Sequence, residues 1–178
     1  MGSCELRSPP AFAGADMAMD PAGQTDTGTA GVIARPPLLF LAAFLIGFVL
    51  DRLLRLPFPG PGLVSWIIGG SLILVGLALF AAGIRNFSRA TTPVPTNEPT
   101  RVLVTTGIHG WTRNPIYLGM FLIYGGIGVA AQNIWILVLT LPLAILIRYG
   151  VVAREEAYLE RRFGDAYRGY RQTVRRWL

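Results

Sequence analysis

The sequence contains very few of the residues that metal sites and disulfides require. Its 178 residues include one cysteine, Cys4, one histidine, His109, and no lysine. A lone cysteine excludes a disulfide framework within the chain and a thiolate metal centre, and a lone histidine argues against an imidazole-based one. We therefore expect no bound metal and a chemistry that depends on other groups.

Charged residues are also scarce. They make up 15% of the chain, whereas 52% of the residues are hydrophobic and the mean hydropathy is +0.49. Soluble domains carry about 25% charged residues, so this composition argues against an ordinary soluble fold. Because the apolar residues fall in long blocks, the sequence predicts a single integral membrane domain.

The positive charge comes from arginine alone. Sixteen arginines against ten acidic residues give a net charge of +6. Such an excess can indicate a nucleic-acid partner, but these arginines flank the hydrophobic blocks, so an anionic lipid surface is the expected counterpart. We expect membrane lipids and no nucleic acid as partners; the pattern does not predict an oligomeric state.

The chain divides into a short tail and a membrane domain. Residues 1–31 are rich in small and polar residues without periodicity, which is typical of a disordered tail. Residues 32–178 form the predicted domain, in which a helix needs about 20 residues to cross a hydrocarbon core of ~30 Å. Four apolar blocks approach or exceed this length, at about residues 36–54, 62–84, 115–131 and 134–153.

Arginine is distributed unevenly among the connections. Segment 85–114 holds four arginines against Glu98, and segment 148–178 holds eight against four acids. The positive-inside rule places both segments and both termini in the cytoplasm, at the inner membrane if the source is bacterial. The link between the last two blocks has only Gln132 and Asn133 as polar residues, which predicts an antiparallel helical hairpin.

The blocks themselves carry no ionisable side chain near their middle, which argues against an ion or proton pathway. Small residues spaced four apart favour close helix packing in lipid. These pairs are Ser65 and Gly69, Ala78 and Ala82, and Gly126 and Ala130.

The residue pattern changes after Arg148 from an apolar block to apolar and aromatic residues among charged ones. Apolar and aromatic residues recur near helical spacing up to Phe163, and Gly164 supplies a helix stop before Asp165 begins a second short helix. Tyrosines among arginines are typical of a helix at the level of the lipid headgroups. We expect these C-terminal helices to lie on the cytoplasmic membrane surface, beside any functional site on that face.

The polar residues before the third block are the first candidates for that site. Pro115 suits the first turn of a helix, and Asn114 suits the N-cap before it. The N–H groups at this helix start would face the polar layer, where they can bind an anionic group. The alternative is a capped helix start at the interface, with Trp111 as a residue of the aromatic belt.

Glu155 and Glu156, just beyond the fourth block, are the second candidates. Apolar surroundings near a membrane strengthen hydrogen bonds from a carboxylate to a hydroxyl or amine. The alternative is a solvated helix face on which they pair with nearby arginines, such as Arg148, Arg154 or Arg162.

Two stretches resemble a known family in order and spacing. They are LVTTGIHGWTRNPIYLG, residues 103–119, and EEAYLERRFGDAYRGY, residues 155–170. Together they resemble the isoprenylcysteine carboxyl methyltransferase family and the related membrane phospholipid methyltransferases, whose pattern has R-H-P-x-Y-x-G, a pair of spans, E-E and F-G-x-x-Y. The similarity covers about the last eighty residues. His109 stands where that pattern has tyrosine, and Asn114 where it has histidine.

The resemblance implies an all-α integral membrane enzyme of about four spans, whose C-terminal amphipathic helices form a cytoplasmic lid over the cofactor. It would transfer a methyl group from S-adenosylmethionine to a lipophilic acceptor that enters from the bilayer, with S-adenosylhomocysteine as product. The cofactor-binding residues implied lie in regions 101–119 and 148–178, at Arg101, Val102, Leu103, Val104, His109, Asn114, Pro115, Ile116, Tyr117 and Glu155. The implied catalytic residues are Arg113, Arg148, Arg154 and Glu156.

Arg148 or Arg154 is expected to orient the acceptor, and Arg113 to serve the cofactor carboxylate. The prediction as a whole requires the residues around Pro115 and Glu155 to converge beneath one leaflet. Isoprenylcysteine carboxyl is the first expected acceptor, and a phospholipid amine or small thiol is the alternative. Two further alternatives are an NADPH-dependent membrane reductase and a non-enzymatic scaffold whose basic tail binds anionic lipid.

Overall fold

Six α-helices account for most of residues 35–90 and 100–177, the parts of the chain that the computed structural model describes. The predicted disordered tail lies outside these residues. Two short turns join the helices, a 3₁₀ turn at Gly107–Gly110 and a π-helical turn at Arg148–Val152. The helices are α1 Pro36–Leu53, α2 Gly62–Arg89, α3 Pro115–Ala130, α4 Ile134–Ile147, α5 Ala153–Phe163 and α6 Asp165–Thr173.

The predicted all-α membrane bundle is confirmed. In the described part of the chain, three helical segments are apolar and long enough to cross a membrane: α1, α2 and the continuous run Ile134–Phe163, which joins α4 to α5 through the π-helical turn. The third block forms α3, which is apolar but only 16 residues long. Large side chains such as Trp66 and Leu74 are 66% and 70% exposed, which suits contact with lipid.

The α1–α2 connection and the α3–α4 turn meet at one end of the bundle. The side chain of Asn133 accepts a hydrogen bond from the Ile136 N–H at 3.0 Å, so it caps α4 and forms the predicted hairpin turn. The Trp135 indole donates to the carbonyl of Leu54 at 2.7 Å. The opposite end therefore brings together the end of α2, the start of α3, and α5 and α6.

Glycines bring α2 and α3 into backbone contact along most of α3. Gly69, Gly76 and Gly83 recur every seven residues on α2, and a Cβ at Gly76 would lie 2.7 Å from the carbonyl oxygen of Gly119. A Cβ at Gly126 would lie 2.8 Å from the carbonyl oxygen of Gly69. Of the predicted small pairs, those at 65/69 and 126/130 are buried in this contact, whereas Ala78 is exposed.

The core lies on the other side of α3 and supports the end of the bundle where the polar segments meet. Buried side chains from α1, α3, α4 and the π-helical turn pack together to form it. Its members are Phe40, Tyr117, Tyr124, Ile136, Leu143, Ile147, Val151 and Val152.

Candidate functional site

The start of α3 and the start of α5 are joined by a hydrogen bond between buried side chains. The Tyr117 hydroxyl donates to Oε1 of Glu155 at 2.7 Å, and both residues are 6% exposed. The two segments singled out from the sequence therefore converge, although 38 positions separate these residues. A charge-assisted bond of this length in apolar surroundings fixes the tyrosine ring and the carboxylate against each other.

A small cavity of about 40 Å³ lies beside this hydrogen bond. Every residue around it except Phe87 was predicted from the sequence to belong to the site. The lining residues are Phe87, His109, Arg113, Asn114, Pro115, Ile116, Tyr117 and Glu155.

His109 is a buried, neutral member of this lining. It is 4% exposed, and burial lowers the pKa of its imidazole to about 4. Nδ1 lies 3.3 Å from the side-chain amide nitrogen of Asn86, which can only donate, so Nδ1 accepts and the imidazole proton is on Nε2. The Phe87 ring packs edge-on at 5.0 Å, and the Tyr170 hydroxyl donates to the His109 carbonyl at 2.6 Å. Helices α2 and α6 therefore hold the 3₁₀ turn between them.

Glu156 is held by two arginines. Nε and Nη2 of Arg176 donate to its two oxygens at 3.0 and 2.6 Å, and Nη2 of Arg113 lies 3.4 Å from Oε1. The carboxylate raises the pKa of Arg176, and burial raises the pKa of Tyr167, which accepts from Arg113, to about 12. Nε of Arg113 is buried with no hydrogen-bond partner among the described residues.

The C-terminal strap, residues 174–177, closes the polar side of the site. The Arg113 N–H donates to the carbonyl of Arg175 at 3.0 Å, and the Asn114 amide donates to that of Arg176 at 3.0 Å. Trp177 packs edge-on against Phe121 at 6.3 Å. Asn114 occupies the predicted N-cap position, but its side chain bonds the strap and does not cap α3, which corrects the sequence-based interpretation.

The other predicted site residues lie around the cavity but do not line it. Among the implied cofactor residues, Arg101 and Val102 are exposed, Leu103 is half-buried and Val104 is buried. Their segment is tied to α5 because the Thr100 N–H donates to the Tyr158 hydroxyl at 3.1 Å.

Arg148 and Arg154 are both exposed on the run from the π-helical turn into α5. The Arg148 guanidinium lies 5.4 Å from the centre of the Tyr149 ring. Both residues therefore lie at the surface of this run, and their predicted role in orienting an acceptor stays a prediction.

Sequence reasoning missed Asn86, Phe87, Tyr158 and Arg176. The first two lie on the last turns of α2, beyond residue 84, where the predicted apolar block ends. Helical spacing alone could have extended α2, but nothing in the local sequence distinguishes Arg176 from the arginines around it.

Comparison with known proteins agrees with this geometry. A match to the phospholipid methyltransferase family covers residues 64–166, which include α2 to α5 and most of the site. The chain belongs to the phospholipid methyltransferase family. Members of this family generally use S-adenosylmethionine.

One curated relative is similar over a short stretch. An uncharacterized protein of Haemophilus influenzae is 70% identical over 27 residues, which are 15% of this chain. The matched stretch covers 43% of that protein, less than half of its length. No solved structure matches the chain.

Proposed function

We propose that this chain transfers a methyl group from S-adenosylmethionine to a lipophilic acceptor that reaches the site from the bilayer. The observation that carries the proposal is the buried hydrogen bond between Tyr117 and Glu155, because it joins the two polar segments at one end of an apolar bundle. A water-soluble donor and a lipid-borne acceptor can meet only where such a bundle reaches the polar layer.

The polar side chains at the site suit the charged and polar groups of S-adenosylmethionine. Its carboxylate calls for a cation, and Arg113 offers a guanidinium whose Nε is unpartnered among the described residues. Its amino and hydroxyl groups call for an acceptor, and Glu155 offers a buried carboxylate. The cavity of about 40 Å³ is far smaller than ligand sites of about 300–1,000 Å³, so the site must open before the cofactor can bind.

The protein's part in the reaction is to position the reactants and exclude water. When bound, S-adenosylmethionine supplies a methyl group already activated by its sulfonium and leaves as S-adenosylhomocysteine. Tyr117 and Glu155 would hold the cofactor from the α3 and α5 sides, and neutral His109 would offer a hydrogen bond without adding positive charge to the site. Holding two reactants in line contributes roughly 7–11 kcal/mol to such a reaction.

The arginines take two further roles in this proposal. Arg148 and Arg154, exposed beside the site, orient an acidic or phosphate group of the acceptor, and Glu156 positions Arg113 through its ion pair. The acceptor is an isoprenylcysteine carboxyl or a phospholipid amine, since either joins a polar end to a hydrocarbon chain. The site faces the cytoplasm, where the basic segments lie.

Variants of the joining pair test the cofactor site. We expect Glu155→Gln and Tyr117→Phe each to weaken S-adenosylhomocysteine binding by roughly tenfold or more, because a hydrogen bond to a charged group contributes about 1.5–3 kcal/mol. Isothermal titration calorimetry of the purified full chain measures this. Glu160→Gln is the control, since Glu160 pairs with exposed arginines on the surface and should leave binding unchanged.

Unchanged affinity in both site variants would show that the cofactor binds elsewhere. NADPH is the comparison ligand: stabilisation of the protein by NADPH in a thermal-shift assay, and not by S-adenosylhomocysteine, would replace the methyltransferase proposal with a reductase.

A further inference from the structure

The side chain of Asn86, near the end of α2, makes two hydrogen bonds to the segment that forms the 3₁₀ turn. Its amide nitrogen lies 2.8 Å from the carbonyl oxygen of Thr106 and 3.3 Å from Nδ1 of His109. A carbonyl oxygen can only accept, so the contact with Thr106 fixes which end of the amide carries the nitrogen. The two N–H groups of the amide therefore have one acceptor each.

Gly107 allows the turn to approach this amide closely. Its φ is +59°, in the left-handed region that favours glycine, and a Cβ there would lie 2.6 Å from the side-chain nitrogen of Asn86. From the other side, the Tyr170 hydroxyl of α6 donates to the carbonyl of His109 at 2.6 Å. The backbone of the turn is therefore held at a distance from Asn86 that a larger residue at position 107 would not permit.

This contact decides which nitrogen of His109 is available to a ligand. Nδ1 accepts from Asn86, so the proton of the neutral ring is on Nε2. In the described part of the chain no group accepts from Nε2, and Nε2 is not one of the fully buried polar atoms without a partner, so part of its surface is accessible. Because His109 is 4% exposed and lines the cavity beside Tyr117 and Glu155, Nε2–H is the donor that the ring can present to a ligand there.

A neutral donor of fixed direction differs from the charged groups of the cavity. Arg113 donates with a positive charge, and Glu155 accepts with a negative one. A neutral imidazole without a partner can place its proton on either nitrogen, and Nε2 would accept a hydrogen bond in the other tautomer. The direction of one hydrogen bond in the site therefore depends on Asn86, which does not itself line the cavity.

We propose that Asn86 is a positioning residue for the cofactor: it holds His109 in the tautomer with a protonated Nε2, and Nε2–H donates to an oxygen or nitrogen atom of the bound cofactor. The proposal rests on the function proposed above and deepens it, because it adds a residue of α2 that acts on the cofactor through His109. Asn86 contributes the state of the ring, and His109 contributes the contact.

Nitrogen NMR of the imidazole tests this assignment directly, because His109 is the only histidine of the chain. The full chain is prepared without a histidine tag, with isotope-labelled histidine, and reconstituted in lipid bilayers. At neutral pH and without ligand we expect Nδ1 to be unprotonated and Nε2 to be protonated. Addition of S-adenosylhomocysteine should shift the Nε2 signal and leave Nδ1 unprotonated.

Asn86→Asp keeps the size of the side chain and replaces its donor with an acceptor. We expect the proton to appear on Nδ1 and S-adenosylhomocysteine binding to weaken roughly five- to tenfold, the effect of one hydrogen bond. Asn86→Ala removes the donor without adding charge and should give a mixture of the two tautomers. Ser88→Asp is the matched control, since it adds the same charge at an exposed position two residues further along α2 and should change neither measurement.

A protonated Nδ1 in the parent, or a tautomer that both variants at position 86 leave unchanged, would overturn the role of Asn86. An Nε2 signal that does not respond to bound S-adenosylhomocysteine would overturn the contact with the cofactor. The proposed function is judged separately, by whether the parent binds S-adenosylhomocysteine in calorimetry. If it does not bind, the proposed function fails and the cofactor contact fails with it, whereas the tautomer measured without ligand still decides whether Asn86 sets the state of His109.

Discussion

At the scale of single residues, burial determines the charge state of His109. Its imidazole is 4% exposed and accepts from Asn86, so it stays neutral in the folded protein down to its lowered pKa of about 4. In the unfolded chain its pKa returns to about 6.5. The unfolded state therefore binds a proton between these two values that the folded state does not.

Linkage then gives the sign of the pH effect. Stability rises with pH wherever the unfolded state binds more protons, so His109 destabilises the protein as pH falls from 6.5 toward 4. We expect the parent to lose roughly 2 kcal/mol from this group between pH 7.5 and pH 5. Thermal unfolding in detergent at the two pH values measures the loss.

The control is His109→Gln, which keeps a hydrogen-bonding side chain but does not titrate. Its melting temperature should fall less than that of the parent over the same interval. Identical pH dependence in the two proteins would mean that other groups cause the acid sensitivity and that the lowered pKa of His109 has no part in it.

At the scale of helices, the α2–α3 contact positions the site. Its glycines allow the two backbones to touch, and this fixes the end of α2, with Asn86 and Phe87, beside the start of α3. Without a hydrophobic driving force between helices in lipid, close van der Waals packing of this kind becomes the main source of association. The geometry of the cavity therefore depends on residues that never contact it.

Gly76→Ala tests this dependence. A Cβ there would lie 2.7 Å from the Gly119 carbonyl oxygen, so the helices must separate, at a cost of about 1–3 kcal/mol typical of overpacking. Thermal unfolding should show this loss, together with weaker S-adenosylhomocysteine binding.

Gly70→Ala is the matched control, since a Cβ at Gly70 meets no atom within 4 Å. Both changes raise helix propensity by up to about 1 kcal/mol, so only the packing differs. Equal stability of the two variants would show that the α2–α3 contact tolerates separation.

At the scale of the whole molecule, the ion pairs of Glu156 with Arg113 and Arg176 connect three distant parts of the chain. The carboxylate belongs to α5, Arg113 precedes α3, and Arg176 lies in the C-terminal strap. Because Glu156 is 8% exposed, it requires these partners, and together they hold the strap across the site. The cluster therefore opposes any outward movement of the strap.

A double-mutant cycle measures the interaction energy between Glu156 and Arg176. We expect Arg176→Gln to lower the free energy of unfolding by roughly 1–2 kcal/mol. Glu156→Gln should lower it by more, because it leaves the Arg113 side chain without its carboxylate partner. The double variant should reveal a coupling energy of about 1–3 kcal/mol between the two positions. Denaturant unfolding in micelles gives the four free energies of unfolding.

Arg171→Gln serves as the control for this cycle. Arg171 pairs with Glu160 at 3.2 Å, but the two side chains are 51% and 35% exposed, so its loss should cost no more than about 1 kcal/mol. Additive effects at positions 156 and 176 would show that the strap is held by its other contacts.

Much of the fold and all of the cavity lining except Phe87 could be predicted from the sequence. The apolar blocks became helices, Asn133 and Gly164 mark turns where predicted, and the residues from His109 to Tyr117 line the cavity or flank it. The positions of Arg148 and Arg154 around the helix could not be predicted from spacing. The π-helical turn that begins at Arg148 changes the helical periodicity of the residues after it, and the sequence does not reveal such a turn.

The sequence by itself determined what depends on short-range physics: a lipid-embedded helical chain, the positions of its helix starts and stops, and the segments that carry polar groups. Only the tertiary structure decided which distant groups meet. It paired Tyr117 with Glu155, joined Glu156 to Arg176 and buried His109 against α2. Among the described residues it left the Tyr124 hydroxyl without a hydrogen-bond partner. These outcomes depend on how whole helices pack, and equivalent arginines or tyrosines in a sequence become different only when packing buries one and exposes another.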